Sequence, residues 1–129
     1  MIYGIGTDIL FVPRIAHAMQ RFGARFSDRI LAQAERQQLA KFIDVDQKVR
    51  FVAKRFAAKE AFAKALGTGI GKGFTWHDIA VSNDNNGKPC CVAAVPFAAQ
   101  LATLGVVANH VSLSDERDYV LAFVTLETV

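Results

Sequence analysis

Two acidic side chains, Asp8 and Glu60, stand among glycine and apolar residues, and a carboxylate in such surroundings is costly unless something compensates it. At about 100° per residue, Glu60 projects within about 40° of Val49, Ala53, Phe56 and Gly67 on a helix, so it interrupts an apolar strip. One available partner is Lys64, a turn further on, in the favourable Glu-to-Lys order and worth a few tenths of a kcal/mol when exposed. The other is Asp8, at the end of IYGIGTDIL. Two carboxylates brought together repel unless a proton or cation intervenes, and Mg²⁺ suits such a pair because it takes one or two carboxylates and leaves its other positions to water and substrate phosphates. Spacing alone leaves both partners open.

Phosphate would account for the neighbours. Lys54, Arg55, Lys59 and Lys64 share the helix that carries Glu60, and the glycine-rich GTGIGKG follows it. Lys and Arg neutralise phosphate charge, and glycines allow close backbone approach. The loop lacks G-x-x-x-x-G-K-S/T and follows a helix rather than preceding one, so it is no Walker loop. His17, His77 and His110 fall in three different elements without ligand spacing, which argues against zinc. His110 opens an apolar strand, as a phosphate donor or as a structural histidine, and Ser112 and Ser114 lack a nucleophile-elbow sequence. Trp76 and most of the ten Phe read as core. Cys90 and Cys91 are adjacent and point to opposite faces of a strand, which makes them small core or rim residues rather than a disulfide or a metal site.

Composition sets the frame for these groups. With 129 residues, 52% hydrophobic, 21% charged, nine Gly and three Pro, the chain reads as one globular domain over 1–129, not a disordered or collagen-like one. A chain of this length buries roughly two-thirds of its unfolded surface, so oligomerisation is a natural supplement. No apolar run approaches the ~20 residues of a membrane span, and MIYGIGTDIL resembles no secretory leader, so a cytoplasmic protein is expected. The net charge of +3 is unevenly distributed: residues 14–72 carry thirteen bases against five acids, the remainder two against seven. An anionic partner is implied, whether nucleic acid, a phosphorylated cofactor or an acidic protein.

The elements that position these groups follow from periodicity. Residues 2–10 read as a strand with Tyr3, Ile5, Thr7 and Ile9 on one face and Gly4, Gly6 and Asp8 on the other. Pro13 starts a basic helix carrying Arg14, Arg21 and Arg25, Ser27 caps another that runs to Leu39, and Asp44 or Asp46 caps the longest, residues 46–66, closed by Gly67. A hairpin follows, with strands at 79–82 and 90–95 joined through Asn83 to Pro89, then a helix at 97–104 and strands at 110–114 and 119–126. Helices first and hairpins afterwards, with a strand at each end, predict an α+β fold: a mostly antiparallel sheet packed against helices, including one long central helix.

Three segments carry a family resemblance. GIGTDILFVPRI resembles the signature G-x-G-x-D-I/L-x-x-x-x-R-I/L of holo-(acyl-carrier-protein) synthases, and RFAAKEAFAKALGTGIG resembles their F-x-x-K-E-A-x-x-K-A-x-G-T-G-I/L. HVSLSDERDYVLA is similar to a third segment of that family, and the three occur in family order across essentially the whole chain. The resemblance implies the 4'-phosphopantetheinyl transferase fold and the Mg²⁺-dependent transfer of 4'-phosphopantetheine from coenzyme A to a serine of apo acyl carrier protein, with release of adenosine 3',5'-bisphosphate. By position it implies Asp8 and Glu60 as Mg²⁺ ligands at the coenzyme A pyrophosphate, with Lys64 offsetting charge there. Glu60, or a metal-bound water, would take the serine proton. Arg55 and His110 would hold the nucleotide end, Gly87, Lys88 and Pro89 would lie against the adenosine, and Arg14, Arg21 and Arg25 would dock the acidic carrier. It further implies a homotrimer with active sites shared between subunits, which the apolar residues around the long helix, Phe51 and Phe62 among them, would accommodate. Competing readings of the same residues are a non-catalytic basic module for RNA or DNA, and a Mg²⁺-dependent phosphohydrolase; the transferase implies neither nucleic acid nor membrane as partner.

Overall fold

The chain opens with β1 (Ile2–Phe11), passes through the helices α1 (Val12–Phe22), α2 (Ala24–Ile30) and α3 (Gln33–Leu39), and enters the long α4 (Val45–Leu66). The hairpin β2 (Ile79–Asn83) and β3 (Pro89–Ala93), the helix α5 (Val95–Thr103) and the strands β4 (Val106–Glu116) and β5 (Tyr119–Thr128) complete it. This computed structural model describes all 129 residues. The fold is α+β: an antiparallel sheet in the order β1-β5-β4, a separate two-stranded β2-β3 sheet, and α4 laid along the inner face of the larger one.

Local chemistry accounts for α4. The Asp44 carboxylate accepts the Gln47 N–H at 2.9 Å, and Gly67, at φ 84°, donates to the Ala63 and Lys64 carbonyls in a left-handed stop that a side chain would strain. The helix is buried on most of its sides, Arg55 and Lys59 included, because the chain itself covers it. Val120, Ala122, Val124 and Leu126 of β5 are fully buried beneath it, and Phe62 packs on Phe74 and Phe97 at 5.5 and 6.1 Å between ring centres. Phe51 meets Phe42 at 5.5 Å. Phe51 and Phe62 are therefore this chain's own core, and the apolar character of α4 is no argument for a neighbouring subunit.

The close approach of β1 to α4 has a specific cause. A Cβ built on Gly4 or Gly6 would overlap the carbonyl oxygens of Ala65 and Ala61, so the strand backbone rests on the helix backbone with no side chain between. The alternation of β1 then aims Asp8 and Leu10 at the helix side and leaves Ile5, Thr7 and Ile9 outside.

Two expectations change. Ser27 does not cap a helix: it lies inside α2, its hydroxyl donating back to the Ala24 carbonyl at 3.3 Å, and Gly23 occupies the capping position. The chain turns extended at Leu31, and Glu35 starts α3 by accepting the Ala32 N–H at 2.8 Å, so one expected helix is two short ones. Cys91 is buried and Cys90 half-buried, both free; burial pushes the Cys91 thiol up to about 12, which leaves it unreactive. No helix is long and apolar enough to cross a membrane.

Gly6→Ala tests the backbone contact. Forcing a methyl against the Ala61 carbonyl should cost about 3 kcal/mol, a fall in Tm of roughly 10 °C or more by thermal denaturation. Ala accommodated within a degree or two would mean that strand and helix can separate.

Candidate functional site

Asp8, on β1, and Glu60 and Lys64, on α4, converge where the glycine contact brings their elements together. The Lys64 ammonium donates to the Thr7 carbonyl at 2.9 Å and lies 3.4 Å from the Asp8 carboxylate, whose side chain is 16% exposed. Lys64 is thus engaged by β1 rather than by Glu60 one turn back. Burial raises the proton affinity of Asp8 above the ordinary carboxylate range against the opposing charges of Lys64 and Arg14. Burial also raises that of Glu60, the charge of Asp8 raises it further, and Lys64 and Arg14 again oppose. Two half-buried carboxylates repelling each other, with one ammonium and one guanidinium beside them, make an oxygen-donor set with cation affinity to spare. No third Asp, Glu, His or Cys joins them. That donor count suits a hard cation sharing its shell with substrate oxygens better than a tetrahedral zinc held wholly by protein.

Arg55, two and a half turns before Lys64 on α4, faces a different surrounding. Only 5% exposed, it lies with its guanidinium 4.0 Å from the Phe51 ring centre, donates to the Val81 carbonyl at 3.5 Å, and leaves a buried Nε–H without a partner. Burial lowers its pKa while the charge of Glu35 opposes the change. It lines a cavity of about 180 Å³ with Lys54, Asn83, Gly87, Pro89 and Asp115, which adjoins an open cleft of about 600 Å³ bordered by Lys41, Arg50 and Phe51. A buried guanidinium with a donor to spare, at the wall of a cleft ringed by bases, is a receptor for an anion.

The remaining expected residues are placed as follows. Gly87, at φ 83°, and Pro89 line the small cavity, while Lys88 is exposed in a turn closed by Asp84, whose carboxylate takes the Lys88 and Asn86 N–H groups. Arg14, Arg21 and Arg25 are exposed on α1 and α2; Arg14 acts on both carboxylates, and Arg21 lies over the exposed Phe22 ring at 5.2 Å. His110 does not join Arg55 within this chain. It points outward from β4, paired with Glu127 of β5, on the side of the sheet away from α4.

Lys59 corrects a sequence expectation. It is not a phosphate-facing base: fully buried, it donates to the Glu35 carboxylate at 2.6 Å and to the Ile30 and Trp76 carbonyls at 2.8 Å each. Sequence reading passed over Glu35, also buried, although Lys59 lies seven residues from both Val52 and Leu66 on an apolar face, which calls for an internal partner.

Comparison with known proteins bears on the fold and the family. Residues 4–124 match the family model of the 4'-phosphopantetheinyl transferase superfamily. The chain is 49% identical over 127 residues, covering 98% of both chains, to the holo-(acyl-carrier-protein) synthase of Vibrio parahaemolyticus. It superposes on the crystal structure of the synthase from Neisseria meningitidis with a TM-score of 0.93 at 42% identity, over 99% of this chain and 100% of that one. With the Bacillus anthracis synthase, in complex with CoA (3',5'-ADP), the TM-score is 0.84 at 37% identity, over 100% and 99% of the two chains.

The carboxylate pair has a pH signature. A carboxyl whose pKa rises on folding contributes stability that is complete below the ordinary carboxylate range and lost as pH rises through the folded value. In chelator at pH 7, Glu60→Gln should therefore melt a few degrees above the wild type, the gap closing as the pH falls towards about 4. A glutamine variant that melts lower at pH 7 would show the carboxylate to be already compensated.

Proposed function

The chain belongs to the 4'-phosphopantetheinyl transferase superfamily, and from that premise we propose how its own residues carry out the reaction of a holo-(acyl-carrier-protein) synthase. The enzyme transfers 4'-phosphopantetheine from coenzyme A to a serine of apo acyl carrier protein. The serine oxygen bonds to the pantetheine phosphorus, the pyrophosphate P–O bond breaks, and adenosine 3',5'-bisphosphate leaves. Residues 1–129 act as one transferase domain around a single contiguous core.

The observation that carries the reading is the layout of α4. The carboxylate pair with its ammonium opens on one side of the helix, and the anion receptor at Arg55 lies about 13 Å away along the axis and, nine residues from Lys64 at about 100° each, on the opposite side. A coenzyme A that meets both groups would lie between two chains of an oligomer, its pyrophosphate and reacting centre against the carboxylates of one and its nucleotide against Arg55 of the other. Asp8 and Glu60 would hold Mg²⁺, which supplies charge neutralisation at the pyrophosphate when bound. Lys64, fixed by the Thr7 carbonyl, offers its ammonium to charge that develops as the serine attacks. Glu60 takes the serine proton, directly or through a water. Arg55 binds the nucleotide end through its free Nε–H, with Gly87, Lys88 and Pro89 forming the rim against the adenosine. Arg14, Arg21 and Arg25 present an exposed basic face beside Glu60 for the acidic carrier protein.

A nucleic-acid module would need the bases of α4 free on one surface. Instead Lys59 is buried, Arg55 is walled in, Lys64 is held by β1, and Arg50 and Lys54 lie within 3.7 and 3.6 Å of the Asp115 carboxylate. The free thiols of Cys90 and Cys91 fit the cytoplasm.

The outer face of the larger sheet supports a homotrimer. Ile5, Ile9, Phe11, Tyr119, Leu121 and Phe123 lie exposed on its outer side, Ile9 at 66%, a larger apolar surface than a monomer ordinarily leaves in water. His110 borders that face, so a neighbouring subunit would receive it at its own nucleotide site.

Intact-protein mass spectrometry tests the reaction: apo acyl carrier protein with coenzyme A and Mg²⁺ should gain one phosphopantetheine. EDTA should abolish the gain, and Asp8→Ala or Glu60→Ala should slow it about a hundredfold or more. No gain with any of several carriers would overturn the reading. Light scattering tests the assembly: the wild type should run as a trimer and Phe123→Asp as an inactive monomer, whereas a fully active wild-type monomer would sink the trimer.

A further inference from the structure

The buried pair Glu35 and Lys59 touches neither the carboxylates nor the cavity, yet its connections lead to one. One Glu35 oxygen accepts from Lys59 at 2.6 Å and from the Ala32 N–H at 2.8 Å, and the other accepts the Val81 N–H at 2.8 Å. The carbonyl of that same Val81 receives the Arg55 guanidinium at 3.5 Å. Lys59 spends its donors on Glu35 and on the Ile30 and Trp76 carbonyls, so it ties α2 and the segment before β2 to α4 while leaving Glu35 aimed at β2. Glu35 thereby holds Val81 by its N–H, and Val81, through the carbonyl of the next peptide group, sets where Arg55 stands.

Arg55 needs such a support. Its contacts are the Phe51 ring face, a long hydrogen bond to Val81, and a buried Nε–H that no protein atom satisfies. A guanidinium that formed a direct ion pair would have its fork occupied. Here Lys59 takes the carboxylate's closest contact, and Glu35 is not within ion-pair distance of Arg55, although its charge acts on both cations. One buried anion between two buried cations leaves a unit of positive charge uncompensated at the cavity wall, where an incoming anion completes the balance.

We propose that Glu35 is a positioning residue for coenzyme A binding, holding Arg55 through the Val81 backbone while Lys59 keeps Glu35 from pairing with Arg55 directly. This rests on the transferase reading, in which Arg55 meets the nucleotide end of coenzyme A.

Two variants separate geometry from charge. Glu35→Asp keeps the charge but is one methylene short of the Val81 N–H, and Glu35→Gln combined with Lys59→Met removes both charges while keeping an acceptor there. Steady-state transfer assays should give Glu35→Asp a KM for coenzyme A about tenfold above wild type, with kcat within threefold and the KM for carrier protein unchanged. The Gln/Met variant should stay within threefold of wild type in both KM values. In an Arg55→Ala background Glu35→Asp should have no further effect, since the residue it acts through is gone. Thermal melts establish that each variant is folded. A purely structural role would lower Tm and move both KM values together, and either that result or an undiminished effect without Arg55 overturns the inference. A wild-type chain that transferred nothing would overturn the transferase reading instead.

Discussion

The contact between β1 and α4 is the constraint from which the site follows. Strand and helix meet backbone to backbone because Gly4 and Gly6 have no side chains to hold them apart from Ala65 and Ala61. Any side chain at those positions would move β1 outward, and Asp8, two residues beyond Gly6, would move with it. The same contact lets the Lys64 ammonium span the Thr7 carbonyl and the Asp8 carboxylate. Charged groups drawn from two elements, more than fifty residues apart in sequence, thus owe their proximity to the absence of two side chains. Alanines at positions 57, 58, 61, 63 and 65 extend the principle along α4, keeping the helix thin wherever the sheet and the aromatic core press on it.

A buried ion pair seldom adds net stability, because desolvation consumes the attraction, but it does restrict how the surrounding elements can be arranged. Glu35 and Lys59, at 1% and 0% exposure, satisfy backbone groups from α2, the start of α3, the segment before β2 and β2 itself. Apolar residues of similar volume would fill the space without fixing the register of Val81 against α4. The pair is better understood as a locator of Val81 than as a source of stability.

What was legible in the sequence follows from how local each signal is. The strand of Asp8, the long helix with its Asp44 cap and Gly67 stop, and the hairpin at Gly87 are set by periodicity, capping and turn residues, all readable within a few positions. Ser27 misled because a serine before an apolar run satisfies the capping pattern, while the chain turns extended at Leu31 and Glu35, not Ser27, caps the helix that follows. Lys59 misled for the same reason: a lysine among lysines reads as a surface base until its buried neighbours are known. The proximity of Asp8 and Glu60 was beyond spacing arguments and came from the family signatures, since no local pattern states which strand meets which helix. His110 shows the limit of a single chain: the signature pointed to a nucleotide contact, and its own fold turns it away from Arg55.

The carboxylates, like the buried Arg55, are a place where the fold works against itself. Folding draws Asp8 and Glu60 out of water, burial raises the proton affinity of both, and the charge of Asp8 raises that of Glu60 further. The cost is offset by apolar burial around them, Leu10 beside Asp8 on β1 and Ala122 directly across from it, both essentially inaccessible. Lys64 and Arg14 relieve part of the repulsion but not all of it, and relief that was complete would leave no affinity for a cation. An arrangement that stays unsatisfied by its own side chains, held in place by a glycine contact, is already shaped for a positive charge. Binding at such a site draws on electrostatic cost already incurred in folding, which is why the strength of the core and the function of the site are the same problem here.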